Sequence, residues 1–261
     1  MSQLIDELKK ADRTSNQPMG FKASRQSSVG PRLKLIASVV LDGNIPAEST
    51  DGADAVSLLS EKIQPSIKAV KTTMEQIKDI PWGIHLRDTT GIKVSSLAKE
   101  GCDFVIFPAD SYVSNIPIDD DTGRIIELES SLDDGLIRAA NNLPVDAVLL
   151  TDSFEADGAL VWHRLMIFQH MTNLLSKPVI IHVPLDAAES DIKALWEAGA
   201  DAVITEVDTG KPDGIQKLRK LIDGLPARTS PKKGSSEALL PYPREAKTAE
   251  PEPEVEEEDW E

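Results

Sequence analysis

Four short stretches of this chain place ionisable residues at the spacing of one strand face. In WGIHLRD, from Trp82, His85 and Arg87 stand two apart, and Ile84 and Leu86 take the alternate positions. RIIELES, from Arg124, sets Glu127 and Glu129 against Ile126 and Leu128 in the same way. His182 alternates with Ile181 and Val183 in PVIIHVPLD, and Glu206 and Asp208 alternate with Val207 in DAVITEVD. Successive side chains of a strand point to opposite faces, so each ionisable set shares one face and each apolar set the other. These residue types can move protons and hold anions. His85 or His182 is a candidate acid or base, Glu129 or Glu206 a candidate base or metal ligand, and the guanidinium fork of Arg87 a candidate anchor for a substrate carboxylate. The competing reading is structural. Buried charge is costly unless it is paired, so an arginine, glutamates and histidines on inward faces also read as a self-neutralising cluster that fills the interior.

Something must bring these four faces together. Short apolar, β-branched runs recur between about Lys34 and Asp208, each bounded by Asp, Gly or Pro: KLIASVVLD, DAVSLLS, WGIHLRD, CDFVIFPAD, RIIELES, VDAVLLTDS, PVIIHVPLD and DAVITEVD. Strands covered on both faces read as near-continuous apolar runs, and most of these do. Helical patterns lie between them. Pro65 to Lys78 repeats Ile67, Val70, Met74 and Ile77 on one face. Ser130 or Ser131 is placed to cap a helix through Leu136 and Ile137, Ala159 to Leu175 is the longest helical stretch, Ser190 to Ala198 ends at Gly199, and Asp213 to Ile222 ends at Gly224. Alternating strands and helices predict an α/β protein with a parallel sheet, and eight strands suit a closed (β/α)8 barrel. Two crossovers, Asp42 to Asp54 and Asp110 to Arg124, are too short or polar for an ordinary helix, so the barrel is expected to carry one or two reduced helices. An open doubly wound sheet is the alternative.

The ends differ from residues 34–226. Residues 1–33 read as an N-terminal extension, with a short helix carrying Leu4, Ile5 and Leu8 on one face and Ser2 as its cap, followed by a Gly- and Pro-broken loop. The helix is expected either to plug the bottom of the barrel or to stay free of it. Residues 227–261 are rich in Pro, Ser and Glu, and such a composition buries too little apolar surface to offset its ordering entropy. This stretch reads as a disordered acidic tail, and LLPYP (Leu239 to Pro243) and Asp259-Trp260 within it are candidate contacts for a protein partner.

The formal net charge is −16, although residues 1–34 are basic, so the negative charge falls mainly on the barrel region. That sign repels phosphate backbones and argues against nucleic acid as a partner. No apolar stretch is long enough for a membrane span, the N-terminus lacks the apolar run of a signal peptide, and the single cysteine, Cys102, reads as a small buried hydrophobe. A cytoplasmic location is the expectation.

EAGADAVITEV and KEGCDFVIF resemble the helix-to-strand junctions of aldolase-type (β/α)8, or TIM, barrels, and the pattern recurs in GADAVSLL. KPVIIHVPLDAAESDIKALWEAGADAVITEV resembles strand 7, helix 7 and strand 8 of such a barrel. The likeness implies the fold; the fold itself hosts many chemistries. The Gly-rich turns with which many of these barrels grip phosphate are missing, because the corresponding turns read VPLDAAES and EVDTGKPDG. Asp186, Glu206 and Asp208 would repel a phosphate dianion, and Gly210 and Lys211 are a partial remnant. A Schiff-base lysine is not found near the end of the sixth run, which reads Thr151-Asp152, and no HxH, HExxH or Cys-based metal pattern occurs. No cofactor is indicated.

Two functions therefore stay open. One is an enzyme, a lyase or isomerase, acting on a small anionic, carboxylate-bearing metabolite by acid/base or metal-assisted chemistry. The other is a non-catalytic barrel that binds or assembles with a partner through its acidic tail. Asp119 to Gly123 reads as a solvated turn and not a calcium loop, and His163 and His170 as residues of a helix surface or helix interface.

Overall fold

The computed structural model describes residues 2–13, 33–41, 47–60, 67–77, 80–87, 97, 100–116, 121–151, 159–208 and 210–226. Eight strands form where the apolar runs predict them: β1 (Lys34–Val40), β2 (Ala55–Ser60), β3 (Trp82–Leu86), β4 (Phe104–Pro108), β5 (Gly123–Leu128), β6 (Ala147–Leu150), β7 (Val179–His182) and β8 (Ala202–Glu206). Each pairs in parallel with the next, and β8 returns to β1 through the register Lys34↔Ala202 to Ser38↔Glu206. The sheet is a closed barrel in the order β1 to β8, and the closure sets aside the open doubly wound alternative.

Six helices are described: α1 (Gln3–Arg13), α2 (Ile67–Gln76), α3 (Asp134–Ala139), α4 (Trp162–Leu174), α5 (Glu189–Glu197) and α6 (Gly214–Asp223). Among their described residues the two weak crossovers carry only short 3-10 turns, Ala47–Thr50 in the first and Val113–Asn115 in the second. The cap of α3 is not the expected serine. Asp133 takes that place, its Oδ1 accepting from the N–H groups of Gly135 and Leu136, because a carboxylate one residue before the helix reaches two orphan donors at the positive end of its dipole. No helix of the described residues is long and apolar enough to cross a membrane. The expected disordered tail, 227–261, lies outside the described residues, as do 14–32.

Strand alternation splits the apolar residues into two layers. Leu35, Val56, Ile84, Val105, Ile126, Val148, Ile181 and Val203 face outward, in one cluster with helix residues such as Val70, Ile137, Phe168, Ile192 and Leu218. Ile36, Ala55, Phe104, Ile106, Ile125, Ala147, Leu149, Ile180, Ala202 and Ile204 face inward and form a second cluster. Leu4, Ile5 and Leu8 of α1 belong to that inner cluster, with Leu8 fully buried. The helix is thus a plug across the end of the barrel where the strands begin. Two glycines make room inside. A Cβ on Gly83 would stand 2.3 Å from the Phe104 ring, and one on Gly123 would stand 2.6 Å from Ile5 and 2.8 Å from the Ser2 hydroxyl.

The Asp that precedes four strands has a visible purpose. Asp54, Asp146 and Asp201 each accept a hydrogen bond from the backbone N–H of a residue at the start of the preceding strand, respectively Leu35 (2.9 Å), Arg124 (3.1 Å) and Val179 (2.8 Å). Asp103 breaks the series and turns to the plug instead. It accepts from Gln3 N–H at 2.7 Å, Leu4 N–H at 3.0 Å and the Ser2 hydroxyl at 2.9 Å. The glycine two residues before three of these aspartates, at positions 52, 101 and 199, has φ of 97°, 89° and 112°, a region that side chains strain to enter. That requirement explains the G-x-D signature.

Ion pairs fasten the same end. Lys34 meets Glu7 at 2.5 Å and Asp54 at 3.3 Å, Lys9 meets Asp146 at 3.1 Å, and Arg219 meets Asp54 at 2.9 Å. Burial works against the Lys34 charge, yet the hydrogen bonds and fields of Glu7 and Asp54 outweigh it and raise its pKa. Burial likewise opposes ionisation of Asp146, but bonds from Arg124 N–H and Lys9 prevail and lower its pKa.

Candidate active site

At the opposite end the barrel interior changes character. Apart from the buried Ser57, the inner layer is apolar up to Leu149 and Ile204, and beyond it lies a cavity of about 450 Å³ lined by Ser38, Leu59, His85, Arg87, Glu127, Leu149, Thr151, His182, Ile204 and Glu206. A volume of this order suits a small organic ligand. Its apolar lining is Leu59, Leu149 and Ile204, and the ionisable groups stand around it at the ends of β3, β5, β7 and β8.

Two contacts organise the ring. His85 Nε2 lies 3.4 Å from Glu127 Oε2, across the barrel width of one intervening strand, with both side chains largely buried. A neutral imidazole that donates from Nε2 to a carboxylate presents its lone pair at Nδ1, so Glu127 selects tautomer and ring orientation. Arg87 approaches Glu206 Oε1 at 3.9 Å, longer than a hydrogen bond, and the two side chains are 62% and 57% exposed. His182 is mostly buried. Loss of hydration lowers its pKa, helped by His85 and Arg87 and opposed by Glu206 and Glu127. At neutral pH this imidazole is uncharged and ready to accept a proton.

No family model and no curated protein matches the chain. Solved structures do resemble it. A tryptophan synthase alpha-subunit mutant from Pyrococcus furiosus aligns over 75% of this chain and 98% of its own, with TM-score 0.56 and 12% identity. The carboxyl transferase domain of Rhizobium etli pyruvate carboxylase aligns over 84% of this chain and 50% of its own (TM-score 0.55, 13% identity). A thiamine phosphate pyrophosphorylase from Pyrococcus furiosus aligns over 74% and 96% (TM-score 0.53, 13% identity). The chain is a TIM barrel. At such identities the likeness is one of fold, and these neighbours include enzymes of unlike chemistry. In a TIM barrel the mouth formed by the strand C-termini is where sites are built, and the cavity is at that mouth.

Of the five candidate residues from sequence, His85, Arg87, His182 and Glu206 line the cavity of this TIM barrel and Glu129 does not. Glu129 lies one residue beyond β5, exposed, accepting a bond from Ser131 Oγ at 3.2 Å, while Glu127 of the same face meets His85. Alternation puts both glutamates on one side; only depth along the strand separates them, and spacing does not encode depth. Arg87, expected inside the barrel near its C-terminal end within reach of Glu127, Glu129 or Glu206, lines the cavity with Glu206 3.9 Å away, its side chain more than half exposed just beyond the end of β3. The competing reading, an ion-pair cluster filling the interior, is corrected, because apolar side chains and the α1 plug occupy the centre. Ser38, Leu59, Leu149, Thr151 and Ile204 complete the lining, and nothing in their types singles them out in sequence.

The turns after β7 and β8 keep their acidic character in space. Asp186 pairs with Lys211 at 3.5 Å on the exposed rim, and a Cβ on Gly214 at the start of α6 would stand 2.5 Å from the Leu185 side chain. Leu185 thus packs against the first residue of that helix. Among the described residues no group of three or more His, Cys, Asp or Glu side chains is arranged to hold a metal ion. His163 is exposed and His170 meets Asp134 of α3 at 2.8 Å, a helix interface as expected. Asp121 and Gly123 flank a buried Thr122, while 117–120 of the acidic turn lie outside the described residues.

Proposed function

We propose that the mouth of this barrel binds a small carboxylate-bearing metabolite and moves a proton on it, as a lyase or isomerase does. The observation that carries the reading is the gathering of His85, Arg87, Glu127, His182 and Glu206 around one cavity at the C-terminal ends of the strands. Arg87 supplies the anchor for a carboxylate, as its guanidinium has five N–H donors and, among the described residues, one long contact to Glu206. His182, uncharged at neutral pH, is the base that takes a proton from the bound molecule. His85, oriented by Glu127, lines the same cavity and returns a proton from its doubly protonated ring, Glu127 balancing that charge. Glu206 steers the position of Arg87.

The test is exchange of substrate carbon-bound hydrogen for solvent deuterium, followed by proton NMR over a panel of small carboxylates. Exchange catalysed by the intact protein and lost in His182→Gln supports the reading. Binding without exchange, or exchange that survives both His182→Gln and His85→Gln, overturns it.

A second reading has one observation in its favour. The turns after β7 and β8, with an acidic rim at Asp186, lack the Gly-rich phosphate grip that many barrels of this fold use. In that reading the barrel binds without catalysing, and the acidic tail carries a protein partner.

A further inference from the structure

The charge count of the cavity leads beyond a carboxylate ligand. Its lining holds one guanidinium, Arg87, and two carboxylates, Glu127 and Glu206. His85 is engaged with Glu127 at 3.4 Å, so Arg87 and Glu206 remain as one cation and one anion facing the cavity. A ligand that brought only a carboxylate would satisfy Arg87 and leave the adjacent Glu206 facing a second negative charge.

We infer that the mouth is built for a small aliphatic α-amino acid in its zwitterionic form, its carboxylate on Arg87, its ammonium on Glu206 and its side chain against the apolar lining of Leu59, Leu149 and Ile204. This rests on the ligand site proposed above and names its class. The Arg87–Glu206 contact supports it directly. At 3.9 Å the two groups are opposite in charge, adjacent and not hydrogen-bonded to each other, and both are more than half exposed. A guanidinium and a carboxylate in that state can each exchange water for a ligand group without breaking a bond between themselves. An α-amino acid carries its own carboxylate and ammonium on one carbon, so one head group reaches both. Glu127 is engaged with His85, which leaves Glu206 as the acceptor for the ammonium. The apolar lining then selects against head groups without an aliphatic body, because a polar side chain against it would lose hydration without a partner.

The experiment uses matched probes on the full chain: L-leucine, its deaminated counterpart 4-methylpentanoate and its decarboxylated counterpart 3-methylbutylamine, with the L-valine and L-methionine series alongside. Binding is followed by calorimetry and by the imidazole signals of His85 and His182 in NMR. The expected result is an amino acid that binds at least about tenfold tighter than either counterpart, with Arg87→Gln and Glu206→Gln each costing about tenfold or more. Both variants change exposed side chains, and a thermal melt confirms that each is folded. Equal or tighter binding of 4-methylpentanoate overturns the zwitterion and leaves the carboxylate site standing. Binding of the amine alone, or of none of the three series, overturns both.

Discussion

The two ends of this barrel hold similar residues in opposite ways. Where the strands begin, charges are part-buried, close and multiply bonded: Lys34 between Glu7 and Asp54, Arg219 between Asp54 and Asp223, and Asp103 on three donors of the plug. Where the strands end, Arg87 and Glu206 stand 3.9 Å apart in water and His85 meets Glu127 at 3.4 Å. One end is fastened and the other is left with unused valence. A charged group held by its own protein stabilises the fold, and one held loosely at a cavity is available to something else.

Mutations break or sharpen that contrast. The largest expected effect belongs to the plug. Leu8→Ala removes a fully buried side chain from the inner core, and urea denaturation should show a loss of about 2–5 kcal/mol. Asp103→Ala strips the plug of its three-donor acceptor and should cost about 2 kcal/mol, with the α1 amides becoming the first to exchange with deuterium. Retention of full stability would mean that the bottom is no more fastened than the mouth. At the other end Arg87→Met should cost less than about 1 kcal/mol, because exposed, water-screened pairs contribute little. A loss as large as that of Leu8→Ala would erase the contrast.

The smallest effect is one of pH. The folded pKa of His182 is below its unfolded value, so folded chains resist a proton that unfolded chains accept. Its contribution is fully present above about pH 6.5 and fades as the pH falls toward and through the lowered folded value. Denaturation curves at about pH 7.5 and about pH 5.5 should therefore differ more for the native chain than for His182→Gln. An unchanged pH response in the variant would show that His182 is not the group responsible.

Strand positions were legible because burial on both faces writes a continuous apolar run, and every run between Lys34 and Asp208 is a strand. The reduced crossovers were legible for the converse reason, as a short polar link lacks a face to bury. Alternation also brought His85, Arg87, His182 and Glu206 to one place. What it withheld was height. The exchange of Glu129 for Glu127 comes from depth along the strand, which alternation does not encode. The helix cap at Asp133 was hidden for another reason: two serines and two aspartates stand within a few residues of the helix start, and each type competes for a cap.

Asp103 sets an order in time. The bond from Ser2 to Asp103 joins residues 101 apart, and Lys9 reaches Asp146 across 137. A ribosome adding about 5–20 residues each second makes α1 many seconds before its seat exists. During that wait Leu4, Ile5 and Leu8 have no barrel to enter, and the helix, too short to be stable alone, has nothing to template it. Closure of the ring and arrival of the plug are thus late, long-range events, in a topology whose parallel pairings are already slow. A chain that stalls there exposes the interior of its sheet and the apolar stripe of its own first helix together. Two such chains hold complementary halves of one interface.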